Sequence, residues 1–413
     1  MEEWDLIIVG GGISGLWLGR EVLRKYKGLK VLILEKYDYL GGRVVTRYGK
    51  EQWEIGAGRI AENHKMVLGL IKEYGLTFAP IGGGADWIDK DGKRSDDMFE
   101  ELIETYMSPL KGLSTEVLGS NTLAELLERV HGAERASDFY RQFPYWAEIH
   151  NMRGDLGLKS FFEEMGGKVG FGVCVEGLSK ITDGLASDFE RLGGESRLGS
   201  EVVDINYKKG IVILKDKEEL KGKMIVSCLH CNAMKNMKTL YNNMPVLKKV
   251  DMSKLVRMYA VFPKVWWPNK KTICEKRIRY IIPISAKQKS IMISYTDGDE
   301  AEWWINLMDK KGKDEVQKQV MKEVREIFGE EVPDPSEFKI YPWTDGCTYW
   351  KPGRYVPWES SIAVLKPFAG YPFFVCGESF SLRQAWMEGA LEHTEQLFSH
   401  PGFIRSIKKC LYE

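Results

Sequence analysis

Between residues 5 and 35 an apolar strand, a glycine-rich turn, an amphipathic helix, a second apolar strand and an acidic residue follow one another, and few folds accommodate that order. Leu6, Ile7, Ile8 and Val9 form an unbroken apolar run, as expected for a strand buried on both faces of a parallel sheet. Gly10, Gly12 and Gly15 follow as GxGxxG, with Ile13 and Ser14 inside the motif, before Leu16, Leu18 and Val22 continue at helical spacing. The first glycine permits a tight turn, the second lets the backbone approach a pyrophosphate, and the third lets helix and strand pack closely. Val31 to Leu34 reads as the second strand and ends at Glu35 and Lys36. A carboxylate there suits the ribose hydroxyls of a dinucleotide whose pyrophosphate rests on the helix N-terminus.

A second glycine pair with an arginine, Gly41-Gly42-Arg43, follows, and then Gly56-Ala57-Gly58-Arg59. Further amides and fixed cations at one diphosphate strengthen its capture, although a glycine pair alone also makes an ordinary turn. With Glu35, this set resembles the FAD signature of the flavin amine oxidase superfamily. The resemblance recurs downstream. Phe373, Phe374 and Val375 run into Cys376, Gly377 and Glu378, and Trp386, Met387, Glu388, Gly389 and Ala390 open the last helix, as in the family's closing motif. It implies that Glu378 contacts the ribityl-phosphate and that the Met387 amide approaches the flavin pyrimidine. Glu176 to Ile181 is similar to the start of the family's central helix, and Val202 and Val203 to its adenine-flanking strand. Residues 80 to 169 match little.

The fold class implied is α/β, a Rossmann-like FAD-binding domain interleaved with an α+β substrate-binding domain. The expected FAD domain takes residues 1–79, 170–235 and 340–413, and the substrate domain 80–169 and 236–339. Helices are expected over Asn63 to Tyr74, closed by Gly75, and over Asp314 to Phe328, closed by Gly329. The second would show a charged opposite face of Lys318, Lys322, Glu323 and Arg325, its basic residues solvated. Strands near Val256 to Phe262, Arg279 to Pro283 and Ser290 to Tyr295 would build a sheet under the flavin ring.

Composition excludes more than it selects. With 59 basic and 59 acidic residues the formal net charge is zero, so no global field favours nucleic acid or an anionic membrane. No run approaches the ~20 apolar residues of a membrane helix. The start Met1-Glu2-Glu3 does not read as a signal peptide, nor Leu411-Tyr412-Glu413 as a peroxisomal address. The expectation is a soluble, cytoplasmic protein lacking the membrane anchor of monoamine oxidases. Seven cysteines, an odd number, point to reduced thiols. Cys228 and Cys231 form a CxxC without a second pair, so no metal is expected. Cys347 lies where monoamine oxidases carry a cysteine joined covalently to flavin, but Thr348 follows in place of their aromatic. Non-covalent FAD is therefore expected, with a link through Cys347 as the alternative.

Three residues are expected to carry the chemistry. Lys235 ends a segment, Ser227 to Lys235, that resembles the superfamily stretch whose lysine holds a water at flavin N5; the competing reading is a surface lysine beside Lys238, Lys248 and Lys249. Arg59 falls where L-amino acid oxidases place a carboxylate-binding arginine, and a planar guanidinium in an apolar cleft suits that task. The competing reading has it bridge to the FAD phosphates or to Glu62. Trp386 falls where the family has an aromatic facing the flavin, with Trp343, Tyr349 and Trp350 clustered before the last strand. An apolar box of such rings favours the neutral amine, which can lose hydride.

The resemblance thus implies oxidative deamination of a primary amine, an L-amino acid preferred, through an imine to a keto acid or aldehyde, ammonia and hydrogen peroxide, with molecular oxygen as second substrate. The alternatives are a monoamine or polyamine oxidase, a protoporphyrinogen- or carotenoid-type flavin dehydrogenase, and a non-catalytic FAD-binding protein.

Overall fold

The computed structural model describes residues 3–49, 52–82, 84–165 and 170–412. Strand β1 (Glu3–Val9), helix α1 (Ile13–Lys25) and strand β2 (Val31–Leu34) form the expected crossover, with Leu6 opposite Val31 and Val9 opposite Leu34 in parallel register. β1 and β2 lie inside a seven-stranded sheet. Glu195–Arg197 pairs with β2, Glu219–Ser227 pairs with β1, and Phe373–Val375 pairs with Glu219–Ser227, all in parallel; Ile211–Leu214 and Val202–Asn206 extend the sheet antiparallel. Leu6, Ile7 and Ile8 are fully buried because helices or further chain cover both faces, which is why the strand reads as continuous apolar sequence. α1 shares one core with residues of helices Ser179–Arg191 and Met387–Phe398, through Leu16, Leu18, Ile181, Leu185 and Leu391. A Cβ on Gly15 would stand 2.0 Å from the Gly10 carbonyl oxygen. The third glycine of the motif is thus fixed by helix–strand contact.

A second seven-stranded sheet carries the expected strands as Val250–Val261, Tyr280–Ser285 and Ser290–Asp297. Glu337–Trp350 edges it on one side, and Lys271–Cys274, Ala85–Ile88 and Arg94–Ser95 continue it on the other. Two segments near the expected boundaries pair or pack across them. Residues 340–350, assigned to the FAD domain, are paired along Val250–Val261, from Val261 opposite Glu337 to Val250 opposite Trp350. Residues 236–247, assigned to the substrate domain, bury Met237, Leu240, Met244 and Leu247 against Ile7, Val9 and Ile225 of the first sheet. The weakly matched 80–169 segment supplies a helical core of Leu102, Leu126, Leu127, Phe139 and Phe161.

The two expected helices are Lys65–Glu73 and Lys313–Phe328, followed by Gly75 (φ +64°) and Gly329 (φ +103°). Lys318 and Lys322 are exposed. Glu323, on the same charged face, is buried, accepts the Ile278 N–H at 3.0 Å, and burial raises its pKa. Among the described residues no helix is long and apolar enough to cross a membrane.

Candidate active site

A cavity of about 660 Å³ runs between the two sheets, within the range of cofactor and substrate sites. β1 delivers the chain to its floor, where Gly10 turns at φ +108° and donates its N–H to Leu34 O at 2.8 Å. α1 begins at Gly12 with no side-chain cap and no acidic residue in its first turn. Gly12, Ile13 and Ser14 face the cavity, so open amides and the positive helix end meet whatever anion enters. Glu35 closes β2 and lines the same cavity, its carboxylate held by the Gly11 N–H at 2.8 Å and the Tyr37 N–H at 3.0 Å. Lys36, Val202 and Val203 line it beside Glu35.

Gly42 and Arg43 approach from the other side, Gly42 at φ +60° with its Cβ direction 3.3 Å from Gly12 Cα. Arg43 Nη2 donates to Glu378 Oε2 at 2.9 Å and Nη1 to Gly346 O at 2.8 Å. Glu378 also accepts from Thr348 N, Thr348 Oγ1 and Ala385 N at 3.1, 2.9 and 2.8 Å. Thr348, which breaks the expected aromatic pattern, is therefore a partner of the closing motif. Glu378, Cys347 and Met387 line the cavity; Gly15 and Gly377 lie behind it. Gly377 takes φ +123° and donates its N–H to His393 Nδ1 at 3.2 Å. An uncapped helix, a carboxylate at the end of β2 and a far wall at Glu378 and Met387 fit an extended dinucleotide such as FAD.

Cys347 is a free thiol that burial, with the Glu378 charge next, pushes up to about 12. Cys228 stands with its sulfur 3.5 Å from that of Cys376, rather than pairing with Cys231. Among the described residues no group of three or more His, Cys, Asp or Glu is placed to hold a metal ion.

Arg59 and Trp386 line the cavity together. The loop before Arg59 is pinned to the second sheet by Trp343 Nε1 donating to Ile55 O and by Tyr259 hydroxyl donating to Glu54 O, both at 2.6 Å. Both Arg59 Nη atoms donate to the Tyr145 hydroxyl at 3.3 Å, and the guanidinium lies 5.4 Å from the Phe171 ring centre. Among the described residues Arg59 has no carboxylate within ion-pair distance, Glu62 included. Trp386 stacks on Phe171 at 6.0 Å and meets His64 edge-on at 4.9 Å. Of the other expected aromatics, Trp343 and Tyr349 line the cavity, whereas Trp350 is core and donates Nε1 to Ser381 O.

Lys235 stands apart from these residues. It does not line the cavity, although Ala233 and Asn236 do. Helix Cys231–Lys235 buries Cys231 and Met234 under the first sheet, and the next position turns Lys235 toward Val250 O at 2.8 Å and Asp251 Oδ1 at 3.0 Å. A cation that does line the cavity is Arg257, which donates to Glu54 O at 2.9 Å and lies 5.2 Å from the Tyr295 ring centre. A Cβ on Gly58 would stand 2.4 Å from Arg257 Nη1, so Gly58 both lines the cavity and gives that guanidinium room. Sequence reasoning also passed over Tyr145, Glu148, Tyr295 and Asp297, all on the cavity wall. The available signal was Asp297, an acid ending the apolar strand Ser290–Asp297.

A family model described as flavin containing amine oxidoreductase matches residues 13–395. "Amine oxidase [flavin-containing] B" of Canis lupus familiaris is 23% identical over 458 residues, covering 95% of this chain and 85% of its own. "Lysine-specific histone demethylase 1B" of Mus musculus is 22% identical over 82% of this chain and 45% of its own. The fold is similar to that of a putrescine oxidase solved with putrescine bound, with a TM-score of 0.73 over 99% of both chains at 14% identity.

Proposed function

The chain belongs to the flavin-containing amine oxidoreductase family, and from that premise we propose that it oxidises the C–N bond of a primary amine to an imine, which water hydrolyses to a carbonyl product and ammonia. FAD, when bound, supplies the two-electron acceptor, and molecular oxygen restores it with formation of hydrogen peroxide. The observation that carries the proposal is continuity: the dinucleotide groove at Gly12 and Glu35 and the chamber walled by Trp386, Tyr145 and Tyr295 are one cavity. Gly12, Ser14, Glu35, Arg43, Glu378 and Met387 would hold the cofactor. The aromatic walls exclude water and disfavour an ammonium ion, which promotes the neutral amine at the reacting end.

A second reading, an L-amino acid whose carboxylate docks on Arg59, is favoured by one observation: among the described residues the guanidinium has only a phenol for a polar partner. An anionic group arriving there would gain two charge-assisted hydrogen bonds. The test is an anaerobic titration of the flavoprotein with primary amines and, separately, with L-amino acids, reading loss of the flavin absorbance band. Bleaching by amines supports the first reading, bleaching by amino acids alone the second. A yellow protein that neither bleaches would overturn both and favour a desaturase-type or non-catalytic flavoprotein.

A further inference from the structure

The amine chemistry leaves one buried titratable side chain behind the cavity wall without a task. His64 caps helix Lys65–Glu73 and is 0% exposed. Its Nδ1 accepts the Ala61 N–H at 3.3 Å, so the neutral ring carries its proton on Nε2. That nitrogen is buried and has no hydrogen-bond partner among the described residues. Burial, with the Arg383 charge second, lowers the pKa of His64 to about 4, which keeps the ring neutral near pH 7. The ring packed against it is that of Trp386, with centres 4.9 Å apart and planes at 71°. Trp386 lines the cavity and His64 does not.

The main chain holds the two rings together. Glu388, two residues after Trp386 and 1% exposed, accepts the Met66 N–H on Oε1 at 2.8 Å and the Val67 N–H on Oε2 at 2.9 Å. Those amides open the helix that His64 caps, and Glu388 lies in the first turn of the helix that Trp386 caps. One carboxylate therefore ties the two helix starts to each other through charge-assisted bonds. Phe171 lies nearly parallel to Trp386, at 6.0 Å and 17°. The indole thus meets two rings, and one of them brings an N–H. An aromatic ring is negative on its face and positive at its edge, and an N–H aimed at a face makes a weak hydrogen bond. A buried donor with no oxygen or nitrogen to bond gains from such a face, because a donor left unmade is costly.

We propose that His64 is a positioning residue for Trp386: its Nε2–H rests on the indole face and fixes the angle at which that ring walls the cavity. The inference rests on the amine-oxidising reading above and deepens it by naming what sets the orientation of the substrate. His64 touches no substrate and acts through Trp386 alone. An amine beside a ring that can tilt still binds, because burial of its apolar chain has no preferred direction. Its reacting C–H bond, however, spends less time in the productive orientation, and a misplacement of about 1 Å costs rate on the order of 100-fold. Loss of the His64 contact should therefore lower the rate of substrate oxidation more than the affinity for substrate.

Two measurements on the holoprotein test it. The first needs no substrate. With the six histidines labelled at nitrogen, the His64 Nε2–H proton, assigned by its absence in His64→Asn, is expected to be shifted upfield by the indole ring current and to lose that shift in Trp386→Leu. A proton without the upfield shift, or one whose shift survives Trp386→Leu, would overturn the contact. The second is a double-mutant cycle on anaerobic flavin bleaching by primary alkylamines, comparing His64→Phe, Trp386→Leu and the double variant with the wild type. His64→Phe is expected to lower the limiting bleaching rate about fivefold or more while changing the half-saturating concentration about twofold or less. On the Trp386→Leu background the same replacement should change the limiting rate less than about twofold. An equal fall on both backgrounds would overturn the positioning role and leave the amine reading intact. Where His64→Phe fails to fold, His64→Asn takes its place, since its side-chain oxygen can still accept the Ala61 N–H. If no amine bleaches the flavin, the amine reading fails, and the proton resonance alone decides whether His64 holds Trp386.

Discussion

Arg43 and Glu378 lie 335 residues apart and meet in an ion pair of 2.9 Å. The pair joins the glycine-arginine turn after β2 to the segment after Phe373–Val375. Through Thr348 N and Ala385 N, Glu378 also fastens the last strand of the second sheet and the approach to helix Met387–Phe398. One carboxylate thus fixes three of the segments that meet at the cavity wall, which explains why motifs separated by most of the chain occur together.

Replacing Glu378 by alanine would strand Arg43 and three donors. The Glu378 side chain is 7% exposed and that of Arg43 30%, so the loss should fall below that of a fully buried pair, at about 2–3 kcal/mol. Urea unfolding of the flavin-free protein measures it. Flavin content after gel filtration should fall as well, and a variant that keeps both stability and flavin would refute this account of the wall.

Arg59 discriminates between substrate readings. Arg59→Ala is expected to leave flavin content unchanged and to lower kcat/KM for any carboxylate-bearing substrate by about 100-fold or more, with a much smaller effect on amines lacking one. Loss of flavin instead of selective loss of amino acid turnover would return Arg59 to a phosphate-bridging role.

Lys235 carries a prediction of the opposite kind. Its ammonium is committed to Val250 O and Asp251, away from the cavity. Lys235→Met should therefore change the rate of flavin reoxidation by oxygen about twofold or less, and stability by about 1 kcal/mol or less, since Asp251 is half-exposed. Stopped-flow mixing of the reduced protein with oxygen measures the rate, and a tenfold fall would restore the flavin-facing role.

The crossover β1, α1 and β2 was legible because its signals are local: an apolar run, glycines at fixed spacing and an acid at the strand end. Arg43, Glu378 and Met387 were legible through resemblance, and each lines the cavity. Tyr145, Glu148 and Asp297 were not, because what makes them a wall is the packing of the helical 80–169 segment against the end of Ser290–Asp297, which no local pattern encodes. The direction of Lys235 was not legible for a related reason. It depends on which helix face Cys231 and Met234 bury, a choice set by the sheet beneath. Glu323 was placed on the right helix but its burial was not legible, because the Ile278 amide that it satisfies comes from a distant hairpin.

His393 supplies a pH dependence whose direction follows from its bonds. It is 1% exposed, accepts the Gly377 N–H on Nδ1 and donates Nε2–H to Ser361 O at 3.0 Å, a pattern that only the neutral ring satisfies. Burial lowers its pKa from 6.5 to about 4, partly offset by the bond from Nε2–H to the Ser361 carbonyl. A histidine whose folded pKa lies below its unfolded value leaves the folded state with fewer bound protons, so its stabilising contribution is present above pH 6.5 and lost as the pH falls toward 4. By pH 5 the loss from this one group should be about 2 kcal/mol. Because Gly377 adjoins Glu378, flavin release should accompany the loss. Urea midpoints at pH 7 and pH 5 test the sign: the wild type should fall between them by more than His393→Gln, which keeps a donor and an acceptor but cannot charge. An equal fall in both proteins would place the acid sensitivity elsewhere.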